Sequence, residues 1–325
     1  MENMNKADQG TMALVCGDVV LGLHGDGFDY LFSYSAGGPV SLAVQGREWL
    51  YRAPSPAFWR ATTDNDRGNG FSYGSAMWLG ADLFIRTESV EVFADGQPVK
   101  EIQAPGNNRF SGRERAGEAR ICYRYRTATV PAAGVELSYT VRADGRIRVD
   151  AVYEGAKGLP ELPAFGVRFI MPTPAEGYAW KGLSGETYPD RMAGGVFGQW
   201  EETGLPVTPY LVPQECGMHM ETEELVVTRS RVLSNADRER RPFSLRFRKE
   251  EKPFAFSCLP YTAGELEMAW HQEELPPVRR TVVCILGAVR GVGGIDSWGA
   301  DVETPYHIDG EKEIRFSFWM EPVME

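Results

Sequence analysis

The amino-acid sequence predicts an all-β protein built as a large antiparallel β-sandwich. Short runs of alternating apolar and polar residues recur along the chain, and turns rich in glycine, proline or aspartate separate them. Only two segments have the apolar spacing or the capping signal of a helix. About twelve to twenty strands with two short helices favour a β-sandwich over an α/β or a helical fold.

The alternating runs predict the strands in the order in which they occur. The first three form a meander over residues 28–34, 40–44 and 48–51. Further strands are predicted at 89–93, 119–126, 135–141, 145–152, 165–170, 244–248, 254–258, 281–289 and 314–319. One helix is predicted over 74–85 from its apolar spacing. The other is predicted over 263–271, where Thr262 and Glu265 match a capping box.

The composition limits the classes of partner. The chain has 325 residues, is 24% charged and carries a net charge of −11. This acidic balance argues against a nucleic-acid backbone or an anionic membrane surface as the main partner. The five cysteines are scattered and lack CxxC spacing, which argues against a disulfide framework and against a zinc site.

The chain is predicted to contain one domain, over residues 12–325, after a disordered or linker-like N-terminus over residues 1–11. The first ten residues are polar and lack the apolar segment of a signal peptide. No apolar run approaches the roughly 18 residues of a membrane span. The sequence therefore predicts a cytoplasmic protein without a membrane partner.

Residues 64–70 form a polar turn signal. Their sequence predicts a turn, because Asx side chains accept hydrogen bonds from nearby backbone N–H groups. The side chains of this turn belong to Asp64, Asn65, Asp66 and Arg67. Gly68 and Gly70 then give the chain flexibility. A calcium loop is the alternative, but the further acids and the final glutamate of an EF-hand are missing, so no metal site is predicted.

Residues 291–299 contain four glycines in nine positions and predict a tight loop. One large side chain, Trp298, projects from this frame. A flat indole on a rigid loop is a suitable platform for a sugar ring, because its face packs against C–H groups. The alternative is a structural tryptophan that closes the end of the β-core. The residues alone leave both interpretations open.

Several motifs occur in one order along the chain. They are Phe-Trp-Arg-Ala at 58–61, Asp-Asn-Asp-Arg-Gly at 64–68, Gly-Glu-Thr-Tyr-Pro-Asp-Arg at 185–191, Pro-Tyr-Leu-Val-Pro-Gln-Glu-Cys-Gly at 209–217, Tyr-Thr with a later Glu-Leu and His at 261–271, and the glycine loop at 291–299. Together they resemble the C-terminal small-chain domain (domain 5, or the small subunit) of glycoside hydrolase family 2 β-galactosidases. The resemblance begins near residue 12 and extends to the end of the chain.

The resemblance implies a fold and a set of site residues. The family's domain is a β-supersandwich that is similar to galactose mutarotase. Trp298 would line the galactose pocket, and Asp296 of the same motif is assigned to substrate binding with it. Gly68 would begin a mobile loop that moves over the bound sugar, supported by the turn at 64–67.

The resemblance also implies a partner. In the family this domain completes the galactose pocket of a catalytic (β/α)8 barrel, which hydrolyses terminal β-D-galactosides such as lactose. The catalytic glutamates lie on the barrel, as do the ligands of Mg²⁺ and of Na⁺, the second candidate ion. A barrel needs about 250 residues of alternating strand and helix, which this sequence does not contain. The chain alone is therefore expected to be inactive and to hold no cofactor.

One stretch departs from the family's pattern. Residues 218–225 read Met-His-Met-Glu-Thr-Glu-Glu-Leu where the family has an Arg-Thr-Asp-like run and an aromatic residue. The alternative function is a free-standing carbohydrate-binding or aldose-1-epimerase-like protein. An epimerase would need a histidine acid and a glutamate base facing one cleft, and His219 near Glu215 is the candidate pair.

Overall fold

The computed structural model describes residues 10–100, 102, 104–105, 114–234, 236–296 and 298–323. Within these residues the chain forms 21 strands and three short α-helices, and the strands pair antiparallel. The prediction of an antiparallel all-β fold is thus confirmed. Residues 1–9 lie outside the described residues, and the proposed domain boundaries stay a prediction.

The strand bounds follow in chain order. They are β1 (Met12–Cys16), β2 (Val20–Gly25), β3 (Phe28–Ser33), β4 (Gly38–Val44), β5 (Arg47–Glu48), β6 (Ser55–Ala57), β7 (Arg86–Ala94), β8 (Gln97–Pro98), β9 (Arg115–Ala116), β10 (Glu118–Arg126), β11 (Gly134–Arg142), β12 (Ile147–Tyr153), β13 (Ala164–Met171), β14 (Gly177–Leu183), β15 (Phe197–Thr203), β16 (Met218–Thr222), β17 (Glu224–Arg229), β18 (Phe243–Lys249), β19 (Phe254–Leu259), β20 (Thr281–Val289) and β21 (Ile314–Val323).

These strands form three sheets. A six-stranded sheet has the order β5-β4-β3-β2-β1-β9 and contains the predicted meander. A ten-stranded sheet has the order β15-β14-β17-β18-β21-β12-β11-β10-β7-β8, and a five-stranded sheet has the order β16-β19-β20-β13-β6. β5 is shorter than predicted because the Glu48 carboxylate accepts hydrogen bonds from the N–H groups of Leu42 (2.9 Å) and Leu50 (2.8 Å), in place of a strand partner.

The five-stranded sheet is the inner layer of the sandwich. Every residue of β19 is buried, as is almost every residue of β13. Phe169 on β13 contacts Phe247 and Phe318 of the ten-stranded sheet, with ring centroids 5.3 and 6.1 Å apart. Tyr30 of the six-stranded sheet donates a hydrogen bond of 2.8 Å to the carbonyl of Gly145, which lies in the turn between β11 and β12. The apolar faces of the sheets therefore meet in one large aromatic core.

The helix predicted over residues 74–85 is wrong. A short helix, α2 (Phe71–Gly74), ends where that helix was expected to begin, and a 3-10 turn follows over Ala76–Trp78. Gly80 has a φ of 76°, which a helix does not allow. The apolar spacing arises instead from one buried anchor, Trp78, whose ring stacks on Phe58 at 5.6 Å.

The polar turn predicted for Asp64, Asn65, Asp66 and Arg67 is also wrong in its secondary structure. These residues lie in helix α1 (Asp64–Asn69). Thr63 is its N-cap: its N–H donates to the Asp66 carboxylate at 2.8 Å, and its hydroxyl accepts from the Asp66 N–H at 3.2 Å. Gly68 therefore lies inside the helix, and the left-handed residue that ends it is Gly70, with a φ of 82°.

The second predicted helix is confirmed as α3 (Ala263–Met268), although it ends earlier than expected. Its capping box forms as the sequence indicates. The Thr262 N–H donates to the Glu265 carboxylate at 2.7 Å, and the Glu265 N–H donates to the Thr262 hydroxyl at 3.2 Å. Among the residues that the structure describes, none of the helices has the length and apolar character needed to cross a membrane.

Candidate functional site

The glycine loop after β20 is held at its base by a buried carboxylate. The two oxygens of Asp190 accept hydrogen bonds from the N–H groups of Val292 (3.0 Å) and Gly293 (2.8 Å). The Gly291 N–H donates to the Tyr306 carbonyl at 3.0 Å. A carboxylate that binds two successive amides fixes their orientation, so the loop leaves the sheet in a defined direction.

Glycine is required where two polar side chains approach this loop. Gly293 and Gly294 have φ values of 70° and 81°, and a Cβ on Gly294 would lie 3.0 Å from the Asn65 Nδ2 atom. Asn65 donates to the Val292 carbonyl at 3.0 Å, and Arg191 donates to the Gly293 carbonyl. Asn65 thus supports the loop from α1, although the sequence predicted it in a turn.

Asp296 shapes the tip of the loop. Its carboxylate accepts hydrogen bonds from the N–H groups of Trp298 (2.9 Å) and Ala300 (3.1 Å). These bonds lower the pKa of Asp296, which therefore stays ionised at neutral pH. The assignment of Asp296 to substrate binding stays a prediction, and the structure gives it a separate role in holding the backbone beneath Trp298.

Trp298 points away from the core. Its side chain is 92% exposed, so the alternative in which it closes the end of the β-core is wrong. A large aromatic side chain at this exposure, on a loop with a fixed base, is available to a ligand or to another chain.

Helix α1 lies directly against this loop. A Cβ on Gly68 would meet the Gly299 Cα at 3.6 Å, and a Cβ on Gly299 would lie only 2.9 Å from the Gly68 carbonyl oxygen. The Asn69 side chain donates to the Asp301 carboxylate at 3.1 Å. The structure thus brings together Gly68 and the Trp298 motif, which the sequence analysis assigned to one site.

A buried cluster of charges joins α1 to the loop. Asp66 is fully buried and accepts from Arg60 at 2.6 and 3.2 Å and from Arg290 at 3.1 Å. Arg60 also donates to the Gly291 carbonyl at 2.7 Å. Arg290 pairs in addition with Glu161 at 2.7 Å and with Asp301. Sequence analysis missed this cluster, and its only local signal is an arginine directly after the apolar strand β20.

Three acceptor side chains support the segment that precedes α1. The Gln214 side chain accepts from the Asp64 N–H at 2.9 Å, and Glu215 accepts from the Ala61 N–H at 3.1 Å. Glu267 of α3 accepts from both the N–H and the hydroxyl of Thr62 at 2.7 Å. Burial raises the pKa of Glu215 to about 8, although the nearby Arg60 opposes the rise.

Sequence comparison decides the family. The family described as "Beta galactosidase small chain" matches residues 24–320 of this chain. The chain belongs to the β-galactosidase small-chain family. The resemblance found in the sequence is thereby confirmed, whereas the assignment to glycoside hydrolase family 2 stays a prediction.

Two kinds of relative occur. The small chain is 58% identical to a "Beta-galactosidase small subunit" of Latilactobacillus sakei, over 98% of this chain and 99% of that protein. It is 35% identical to a "Beta-galactosidase" of Halalkalibacterium halodurans and 33% identical to one of Lactobacillus delbrueckii subsp. bulgaricus. These matches cover 95% and 97% of this chain but only 28% of each relative.

Solved structures with a similar fold include two proteins with mutarotase-related names. One is a galactose mutarotase-like protein from Lactobacillus casei, with a TM-score of 0.42 and 8% identity over 96% of this chain and 100% of that one. The other is a galactose mutarotase related enzyme from Lactobacillus acidophilus, with a TM-score of 0.39 and 9% identity over 96% and 97%. Similarity at this level does not transfer a function.

His219 does not have the surroundings that an epimerase acid would need. Its ring is buried, stacks on Phe256 at 4.6 Å between centroids, and lies 4.4 Å from the ring of Trp180. Burial lowers its pKa to about 4, so the imidazole is neutral at physiological pH. Glu215 is also buried, against the backbone of Ala61. The alternative of a free-standing epimerase is therefore not favoured.

The stretch that departs from the family's usual sequence contributes strands to two sheets. β16 pairs with β19 in the five-stranded sheet, and β17 pairs with β14 and β18 in the ten-stranded sheet. Glu223, between these strands, pairs with Lys181 at 2.8 Å and with Lys249 at 2.5 Å. Hydrogen bonds from these lysines lower the pKa of Glu223 to about 2. The acidic residues here therefore belong to a strand connection at the surface.

Proposed function

We propose that this chain is the small chain of a two-chain β-galactosidase of glycoside hydrolase family 2. In this proposal it completes the galactose pocket of a catalytic (β/α)8-barrel chain that hydrolyses terminal β-D-galactosides such as lactose. The observation that carries the proposal is the exposed indole of Trp298 on a loop fixed by Asp190 and Asn65. Such an indole stacks on the C–H face of a sugar, and a second chain would supply the remaining walls.

The family membership supports the same assembly. The relative that matches over its whole length is named a small subunit, and the relatives named β-galactosidase are longer proteins of which this chain spans 28%. The remainder of such an enzyme would be supplied here by a separate large chain. The activity, the substrate and the partner chain are all parts of this proposal.

In this proposal the catalytic groups lie on the large chain. Retaining glycosidases need two carboxyl groups about 5–5.5 Å apart that face the sugar. The buried acids beside the Trp298 loop have other partners: Asp66 binds arginines, Asp190 binds loop amides and Glu215 binds the Ala61 amide. In the proposal the two glutamates, the Mg²⁺ site and the candidate Na⁺ site therefore belong to the barrel, and this chain holds no cofactor.

Gly68 takes part through α1. Because its carbonyl lies against Gly299, a shift of α1 moves the support of the Trp298 loop. We assign the assembled enzyme to the cytoplasm, where the free cysteines that the structure describes would stay reduced.

Reconstitution tests the proposal. The purified chain alone should not hydrolyse a chromogenic β-galactoside, and neither should a matching large chain that lacks its small chain. Mixing the two should restore turnover in proportion to a 1:1 complex. A large chain mixed with heat-denatured small chain is the control.

Two outcomes would contradict the proposal. Steady hydrolysis by the small chain alone would place catalytic groups on it. Failure of the two chains to associate, together with faster interconversion of α- and β-galactose in a polarimeter, would favour the free-standing epimerase instead.

A further inference from the structure

An apolar groove lies between α3 and the turn that follows α2. It encloses about 400 Å³ and is lined mainly by apolar side chains. The apolar lining residues are Phe58, Trp59, Leu79, Leu83 and Met268. Two of them are largely exposed, Leu83 at 68% and Met268 at 73%. Apolar side chains that converge on one groove at this exposure mark a binding surface more often than a solvated one.

The rim of the groove carries a cationic side chain, Arg52. Arg52 lines the groove, is exposed, and has no ion-pair partner among the residues that the structure describes. Burial of part of its side chain, together with the nearby Arg168 and Arg280, lowers the pKa of Arg52. Two acids also line the groove: Asp82 pairs with Arg168, and Glu265 attracts Arg52 electrostatically while its carboxylate accepts the capping-box bonds of α3.

The groove is connected to the Trp298 site through side chains. Trp59, which lines the groove, donates its indole N–H to Glu267 of α3 at 3.2 Å. The same carboxylate binds Thr62, the residue before the N-cap of α1. An occupant that fixes α3 would therefore also fix the start of the helix on which the Trp298 loop rests.

We propose that this groove receives a segment of the large chain that carries apolar side chains and one carboxylate, which pairs with Arg52. The inference rests on the proposed two-chain enzyme and names the face by which the small chain docks. The groove supplies an apolar floor for the side chains and an unpaired cation for the acid, which together define the chemistry of the segment.

A second copy of this chain is a poorer occupant. Each copy carries a net charge of −11, so two copies repel one another at long range. A large-chain segment needs only one acid at the rim and apolar residues at the floor. Docking would then close the groove and orient α1 in the same step.

The affinity between the small chain and the large chain tests whether the groove is the docking face. The dissociation constant of wild-type small chain and large chain is measured by sedimentation or calorimetry. Leu83→Asp and Met268→Asp should each raise it about tenfold or more, because they place a charge on an apolar contact. Arg52→Glu should raise it by about tenfold and Arg52→Lys by less, because lysine keeps the charge.

Matched controls lie outside the groove. Val196→Asp places an acid on an apolar side chain of the same class, 60% exposed, beside β15. Arg124→Glu reverses a charge on β10 whose nearest acid, Glu136, is 3.4 Å away. Both controls should leave the dissociation constant within about twofold of wild type, as is usual for surface positions outside an interface. The melting temperature of each variant shows that it is folded.

The outcomes separate this inference from the proposed function. If wild-type chains do not associate at all, the proposed two-chain enzyme fails, and the inference fails with it. If they associate and the groove variants bind as tightly as the controls, the groove is not the docking face and the two-chain enzyme stands. If the isolated chain dimerises and Leu83→Asp abolishes the dimer, the occupant is a second copy and the inference is overturned.

Discussion

Asp66 and Arg290 lie 224 positions apart in the chain and form a buried ion pair with a 3.1 Å hydrogen bond. Arg60 binds the other side of the same carboxylate at 2.6 Å. Asp66 thus bridges two buried guanidinium groups at the junction of α1 and the Trp298 loop, and Glu161 and Asp301 pair with Arg290 as well. The position of α1 against the loop therefore depends on a charge cluster that solvent does not reach.

The first prediction concerns this cluster. Asp66→Asn removes the carboxylate that pairs with Arg60 and one of the three that pair with Arg290, and should lower the free energy of unfolding by about 3–5 kcal/mol. Asp64→Asn is the matched control, because the Asp64 side chain is 74% exposed and, among the described residues, pairs only with Arg67. Its effect should stay within about 0.5 kcal/mol. Urea unfolding followed by tryptophan fluorescence measures both. Equal stability of the two variants would contradict the structural importance of the cluster.

The second prediction concerns pH and Glu215. Burial raises the pKa of Glu215 from 4.5 to about 8 in the folded chain. The folded state therefore binds this proton more tightly than the unfolded state, so the contribution is complete below about pH 4.5 and is lost as the pH rises through about 8. Glu215→Gln, which cannot ionise and keeps an acceptor for the Ala61 N–H, should remove this loss.

The folded and unfolded states differ in bound protons roughly between pH 5 and 8. Unfolding experiments at several pH values in this range therefore measure the effect. The stability of the Glu215→Gln variant relative to the parent should increase as the pH rises. Parallel curves for the two proteins would show that Glu215 has the same pKa in the folded and unfolded chain.

Much of the fold follows from local pattern. β20 was predicted with the bounds that the structure shows, because a strand buried along most of its length is a continuous apolar run between turn signals. β15 was missed because it alternates between exposed and half-buried residues and has no apolar inner face. β6 was missed because it has three residues, one of them Pro56.

The site was predicted less completely, for a physical reason. The resemblance indicated that Gly68 and Trp298 belong together, and the structure places α1 against the Trp298 loop. The carboxylate that joins them was interpreted as part of a turn, because an aspartate side chain caps the backbone N–H groups of a turn as readily as those of a helix. One of its arginine partners, Arg290, lies 224 positions away, and pairing across such a distance leaves no periodic signal in the sequence.

The third prediction concerns the glycines where α1 meets the loop. Gly68→Ala fits, since its Cβ would lie 3.6 Å from the Gly299 Cα, and it should stiffen α1 by roughly 0.5–1 kcal/mol. In the assembled enzyme this should change turnover and substrate affinity together, because a stiffer α1 restricts the movement of the Trp298 loop that it supports. Identical kinetics for variant and parent would show that Gly68 does not influence the position of the Trp298 loop.

Gly299→Ala tests the same contact from the side of the loop, where a methyl group does not fit. Its backbone is left-handed, with a φ of 83°, and its Cβ would lie 2.9 Å from the Gly68 carbonyl oxygen. This variant should push the loop away from α1, and hydrogen exchange at the Trp298 and Ala300 amides, which donate to Asp296, should become faster. Unchanged exchange at these amides would contradict the close contact between α1 and the loop.

The last prediction concerns Trp298 as a wall of the galactose pocket. Its indole is almost fully exposed in the isolated chain, so Trp298→Leu should leave the melting temperature unchanged. In the assembled enzyme the same change removes stacking of about 1–3 kcal/mol and should weaken galactoside binding about 5- to 150-fold. Trp298→Phe should lose less, because a flat ring remains.

Trp270→Leu is the control for this change, because Trp270 is 72% exposed and lies after α3 rather than on the Trp298 loop. It should leave galactoside affinity unaltered once the two chains are assembled. Competitive inhibition by a non-hydrolysable galactoside measures the affinities, and sedimentation confirms that each variant is saturated with large chain. An unaltered inhibition constant for Trp298→Leu in the saturated complex would falsify the sugar contact, because no loss of assembly or folding could then conceal it.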